Sequence, residues 1–171
     1  MDLPDLVDQS LANHMTTLIR PHPQALASAR PELGRRIGSL LAALEAIAPA
    51  KGSFRAAIHR DLHLRQMLAD DERIWIVDWD LAGVGDPAID IGNLDVWLET
   101  HLARDLASRC RDRFLTGYVD VAGHDAVRRA GTYRGFAYLR LACKRFRLGE
   151  DVETRVRPMI EGAEAALGSS C

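Results

Sequence analysis

Between His59 and Asn93 the chain concentrates residues that could carry out a reaction. The run His59-Arg60-Asp61-Leu62-His63 sets a carboxylate between two imidazoles, and Ile74-Trp75-Ile76-Val77-Asp78-Trp79-Asp80 ends an apolar stretch in further carboxylates. Two carboxylates approaching from separate segments suit transfer of a phosphoryl group. One orients an attacking hydroxyl and accepts its proton; the other holds Mg²⁺ against the phosphates. Asp61 fits the first task and Asp78 the second. A rival chemistry uses the same residues: His59, His63 and Asp61 are zinc-ligand types at close spacing, and Asp78 and Asp80 could complete a metal-dependent hydrolase site.

The elements that must position these groups follow from hydrophobic spacing. Leu33, Ile37, Leu40, Leu41, Leu44 and Ile47 recur at three- and four-residue steps and predict a helix over 32–47. Leu6, Leu11, Met15, Leu18 and Ile19 predict an earlier helix over about 5–19, stopped by Pro21 and Pro23. Residues 1–50 are therefore expected to form a helical pair. Over 56–92 the pattern changes to short β-favouring runs, Ala57 to His59 and Ile74 to Val77, separated by the polar turn Asp70 to Arg73. Helical spacing returns after Asn93 and continues near 104–119, 125–147 and 152–167. No internal repeat, low-complexity tract or long linker divides the chain. The expected architecture is mainly α with a small β insert: one domain over 1–171, with the motifs in the insert and a helical body over 93–171.

The segment from His59 to Gln66 nearly matches the kinase catalytic loop H-R-D-x-x-x-x-N, with Gln66 in place of asparagine. Together with Val77-Asp78-Trp79-Asp80, Gly85-Asp86-Pro87-Ala88-Ile89-Asp90 and Asp90-Ile91-Gly92-Asn93, it resembles the aminoglycoside phosphotransferase and choline kinase family over about residues 58–94. The resemblance implies a protein-kinase-like C-lobe and ATP-dependent phosphorylation of a hydroxyl on a small molecule. It further implies Asp61 as catalytic base, Asp78 as principal Mg²⁺ ligand and Gln66 as second metal ligand. His59, with Asp86 or Asp90, would brace the loop. The longer Gln66 side chain displaces its amide oxygen by roughly 1.5 Å, which predicts weaker binding of a second metal.

A kinase of this type also needs a β-rich N-lobe with a phosphate-covering loop and a strand lysine. The residues before His59 read as helices, the chain has neither G-x-G-x-x-G nor G-x-x-x-x-G-K-[ST], and its two lysines are Lys51, in a Pro-Ala-Lys-Gly stretch, and Lys144. ATP binding by this chain alone is expected to be poor, and no residues for the nucleotide are assigned. Three versions follow: a segment of a longer kinase, a split enzyme whose N-lobe comes from a partner chain or is replaced by self-association, or a non-catalytic pseudokinase that binds a small molecule. A split enzyme predicts an apolar surface where the N-lobe would sit.

A net charge of −2 gives no positive field for nucleic acid or anionic lipid, and no segment has the length and apolarity of a membrane span. The start lacks a leader-like apolar stretch, so a cytoplasmic protein is expected. Cys110, Cys143 and Cys171 have no metal-ligand spacing and are expected to be reduced, with no zinc. Asp86, Asp90, Asn93 and Asp95 form a series acidic enough to suit a cationic substrate, although carboxylates near a helix start also serve as caps, and for Asp86 and Asp90 structural bracing is the favoured reading. Residues 126–149 hold Arg128, Arg129, Arg134, Arg140, Lys144, Arg145 and Arg147 without an acidic residue, which predicts a packed helix with a solvated basic face. Trp75 and Trp79 are expected to pack on a buried strand.

Overall fold

In a computed structural model the protein is described over residues 8–50 and 52–168. The first part holds one more helix than the spacing predicts, because proline both ends and opens helices. Strand β1 (Asp8–Gln9) leads into α1 (Leu11–Leu18), whose first turn is capped by the Ser10 hydroxyl accepting from the Asn13 amide at 3.2 Å. Pro23 then stands at the start of α2 (Pro23–Ala29) and Pro31 at the start of α3 (Pro31–Ile47), positions where a missing N–H is no loss. On α3, Leu33, Ile37, Leu40, Leu41 and Leu44 are buried as the periodicity requires, while Ile47 ends the helix exposed. The part of the predicted first helix before Asp8 lies outside the described residues, as do Lys51 and Cys171.

The β insert comprises β2 (Ala56–Ile58), β3 (Met67–Ala69), β4 (Ile74–Ile76) and β5 (Gly83–Gly85). β5 is the centre of a three-stranded sheet, parallel to β1 and antiparallel to β2, with Ile58 opposite Gly83 and Gln9 opposite Gly85. A Cβ on Gly85 would lie 2.7 Å from the Gln9 carbonyl oxygen and 2.9 Å from Ile58 Cδ1, so only glycine lets these strands close. β3 and β4 form a separate hairpin, with Leu68 opposite Trp75, turned by the Asp70 carboxylate accepting from the Glu72 and Arg73 amides.

This hairpin corrects the expectation for the tryptophans. Ile74 is 71% exposed, Trp75 44% and Trp79 39%, so β4 is not a buried strand. Apolar side chains signal burial only where another layer covers them, and these three are left largely uncovered among the described residues.

Helices α4 (Ala88–His101), α5 (Arg104–Ala122), α6 (Asp125–Arg147) and α7 (Arg157–Gly168), the last entered through a π-helical turn at Val152–Val156, form the body. α4 starts earlier than the sequence suggests, because Asp86 caps it: its carboxylate accepts from the Ala88 amide at 3.0 Å. Ile89, Ile91, Leu94, Val96 and Leu98 are all buried, and a helix buried on most sides shows no clean apolar stripe. Its packing partner is α6, at a close approach that Gly92 permits, since a Cβ there would meet the Tyr133 backbone at 2.6 Å.

One apolar core joins α1, α2, α3, α4, α6 and α7 around Tyr133, Phe136 and Leu139. The basic face expected of α6 is solvated only in part, at Arg128, Lys144 and Arg147. Arg145 is buried, and Arg129, Arg134 and Arg140 are half-buried, each with a partner on another element. Cys143 is buried in the core, which pushes its thiol pKa up to about 12 and leaves it unreactive.

Candidate active site

The loop after β2 is held by its backbone. Asp90, in the first turn of α4, accepts from the His59 amide on Oδ2 and from the Arg60 amide on Oδ1, both at 2.7 Å. One turn on, Asn93 donates to the Arg60 carbonyl at 2.9 Å, and Arg140 of α6 donates to the same carbonyl at 3.2 Å. Arg60 itself has φ of 70°, an uncommon conformation for a long side chain. Its buried guanidinium donates to the Thr17 hydroxyl at 2.8 Å, the Leu81 carbonyl at 3.1 Å and His14 Nδ1 at 3.2 Å. Such over-determination is what sustains a residue in an uncommon backbone conformation.

Asp61 emerges from this clamp half-exposed. Arg140 Nη2 lies 2.9 Å from its Oδ1, and among the described residues no group occupies Oδ2. His59 turns the other way: its Nε2 donates to the Val77 carbonyl at 2.8 Å and its ring tilts against Trp79 at 4.9 Å. The imidazole thus ties the Asp61 loop to the strand end that carries Asp78. Asp78, like Arg60, is left-handed, with φ of 66°.

Gln66 lies in a single 3₁₀ turn, Leu64–Gln66, and its Nε2 donates to Asp78 Oδ2 at 3.0 Å. Its Oε1 is buried without a partner, a costly arrangement in isolation. Adjacent oxygens around Mg²⁺ are about 2.9 Å apart, from metal–oxygen distances of 2.0–2.1 Å. The amide-to-carboxylate spacing therefore fits one edge of such a shell if the Gln66 amide turns over. Among the described residues no group of three or more His, Cys, Asp or Glu could hold a metal ion. One carboxylate and one amide, completed by phosphates and water, is the pattern Mg²⁺ accepts.

The remaining predicted residues separate. Asp90 is the loop brace. Asp86 is buried and faces α6 instead, paired with Arg129 at 2.8 and 2.9 Å, while that guanidinium also covers the Phe54 ring at 3.6 Å. Asp80 is exposed, in the 3₁₀ turn Trp79–Leu81. His63 lines the cleft beside Asp61 and stacks on Trp97 at 5.9 Å; burial lowers its pKa from the ordinary imidazole value. Burial likewise raises the Asp90 pKa, against the two amides that favour its ionised form.

Arg140, His14 and Trp97 are residues of the site that sequence patterns did not single out. Asn93 stands within the motif series itself, whereas Arg140 was hidden among six other cations.

His14 gives the site a pH dependence. Burial, reinforced by Arg60 and Arg140, lowers its pKa to about 3. In the unfolded chain an imidazole titrates near 6.5. Between these values the unfolded chain binds a proton that the folded one refuses, so His14 costs no stability above pH 6.5 and progressively more below it. The wild type should lose about 2 kcal/mol between pH 7 and pH 5 through this group, measured by urea unfolding at both pH values. His14→Gln should reduce that loss, because Asp90 and the other titrating groups are common to both proteins. Equal pH dependence in the two would remove His14 from the account.

Comparison with known proteins gives a match to a family model described as "Phosphotransferase enzyme family" over residues 11–130. Among solved structures the chain is similar to a choline/ethanolamine kinase family protein from Mesorhizobium loti, with 24% sequence identity and a TM-score of 0.46. That alignment covers 81% of this chain and 45% of the other, so the chain spans less than half of that protein's length. No curated protein matches.

Proposed function

Because the chain belongs to the phosphotransferase enzyme family, we propose that it carries the catalytic half of a kinase that phosphorylates a hydroxyl on a small molecule with ATP. The observation that carries this reading is the pair of links between the two motif segments, His59 to the Val77 carbonyl and Gln66 to Asp78. They support a single site in which Asp61 meets the substrate and Asp78 meets the nucleotide.

In this reading Asp61 Oδ2 accepts the proton of the substrate hydroxyl as its oxygen bonds to the γ-phosphorus. The bond from that phosphorus to the β,γ-bridging oxygen breaks, and ADP leaves with the electron pair. Arg140 holds Oδ1, which fixes the direction of Oδ2. Asp78 and Gln66 would hold Mg²⁺, which neutralises charge on the phosphates.

The nucleotide also needs a covering lobe, from another segment or another chain. On the hairpin before Asp78, Trp75 and its partner Leu68 are exposed on one face and Ile74 and Ile76 on the other, with Trp79 and Leu81 exposed in the turn that follows; exposed apolar side chains in this number support a partner there.

Calorimetry of the chain with ATP and Mg²⁺ tests the reading. Weak, Mg²⁺-dependent binding is expected, reduced at least about ten-fold in Asp78→Ala, the scale of one lost charged contact. ATP binding that ignores both Mg²⁺ and the substitution would sink the assignment of Asp78.

A further inference from the structure

The cleft beside Asp61 has the wrong charge for a cationic substrate. It measures about 190 Å³, and its charged and aromatic lining consists of Asp61, Arg65, Trp97, Arg140 and Lys144 with His63 and His101. Asp61 is its one carboxylate, and Arg140 already pairs with that. Arg65 and Lys144 are exposed at the cleft, and among the described residues neither has a carboxylate within ion-pair distance. At His63, which shares the cleft, burial lowers the pKa, the Asp61 carboxylate opposes it, and Lys144 adds a smaller lowering.

The nearby carboxylates that could have reversed this charge are committed elsewhere. Asp86 pairs with Arg129, Asp90 holds loop amides, and Asp95 and Glu99 both pair with Arg111 and Arg134. Nor does the cleft offer an aromatic cage for an ammonium group. Trp97 is stacked on His101 at 4.5 Å with 5° between the planes, and on His63.

The cations are placed in order. Arg140 and Lys144 stand one turn apart on α6 and face the same way. Arg140 holds the carboxylate that meets the substrate hydroxyl, and Lys144 lies a helical turn beyond it.

We propose that the substrate carries an oxyanion, a phosphate or a carboxylate, close to the hydroxyl that is phosphorylated, and that Lys144 and Arg65 bind it. The inference rests on the reading of Asp61 as the group that meets the hydroxyl. It departs from the cationic substrate that the acidic series in the sequence suggested.

The test is binding without nucleotide or metal. Glycerol 3-phosphate, glycerate and choline are titrated separately into the chain while the NMR signals of His63, Trp97 and His101 are followed. Glycerol 3-phosphate or glycerate should move these signals, the stronger of the two identifying the oxyanion, and choline should not. Lys144→Ala should weaken the anion about ten-fold, and Lys144→Arg should recover most of it. Both side chains are exposed, so folding is not at risk, and Arg65→Ala provides a second variant.

Choline moving the signals while both anions leave them unchanged would overturn the inference. So would anion binding indifferent to both alanine variants. Displacement of bound glycerol 3-phosphate by ATP and Mg²⁺ would assign the cations to the nucleotide's terminal phosphate and would also overturn it; simultaneous binding is expected. Failure of the kinase reading looks different, because ATP binding would then ignore Mg²⁺ and Asp78→Ala while the anion still occupied the cleft.

Discussion

Asp61→Asn is expected to lower kcat by roughly 10²- to 10⁴-fold, the usual worth of a positioned general base, in whichever assembly of this chain turns ATP over. The substitution is nearly isosteric. The asparagine Oδ1 can keep the 2.9 Å contact to Arg140, and the loop clamp does not use the Asp61 side chain at all. What changes is the other atom. An acceptor open at Oδ2 becomes an amide nitrogen that presents hydrogens where the hydroxyl proton must go. KM for the hydroxyl substrate and the urea midpoint should therefore change little while kcat collapses. That split separates loss of a base from loss of structure. Full turnover by Asp61→Asn would remove Asp61 from the chemistry.

What the sequence made legible, it made legible locally. The α3 stripe, the two β runs at β2 and β4 and the spacing from Asp61 to Asp78 are all written in neighbouring residues, whereas β1, β3 and β5 are too short to leave a pattern. The N-terminal half was harder, because Pro23 reads equally as the end of one helix and the start of the next. α4 was harder still: buried on nearly every side, it shows no stripe from which its first turn could be read.

Burial on β4 was misjudged for the opposite reason. Ile74, Trp75 and Ile76 have the composition of a core strand, yet what decides burial is whether a second layer lies above them, and no pattern within the strand records that. Asp86 and Asp90 were equivalent as letters, two acids close to a helix start. One faces α6 and the other faces the loop, and their places around the helix turn decide which.

The long-range ion pairs show why charge along one segment does not predict charge at the cleft. Asp86, Asp90 and Asp95 look like an acidic pocket in sequence, and residues 126–149 look like a solvated basic face. In the fold the two sets meet: Arg129 takes Asp86, and Arg134 takes Asp95. Two of the carboxylates are neutralised in this way and Asp90 is taken by loop amides, while at the cleft Lys144 and, from outside both sets, Arg65 have no carboxylate partner among the described residues. Net charge at a site is thus a property of pairing across the fold, and composition along one segment does not report it.

The same distinction governs Asp90→Ala, which is expected to destabilise the protein by about 3–5 kcal/mol, as two donors to one charged acceptor lose it together. Burial raises the Asp90 pKa, so the ionised carboxylate is itself held at some cost in the fold. Removing it is nevertheless worse, because the amides of His59 and Arg60 remain behind without an acceptor, and Arg60 must still hold a φ of 70°. Asp90→Asn separates these effects: it keeps the volume and one acceptor oxygen but turns an amide toward the second N–H. It should lose a large part of the same stability. Urea unfolding of the three proteins measures the loss, and hydrogen exchange at the His59 and Arg60 amides locates it. If both substitutions stay within 1 kcal/mol of wild type and both amides stay protected, the loop is held by something other than Asp90.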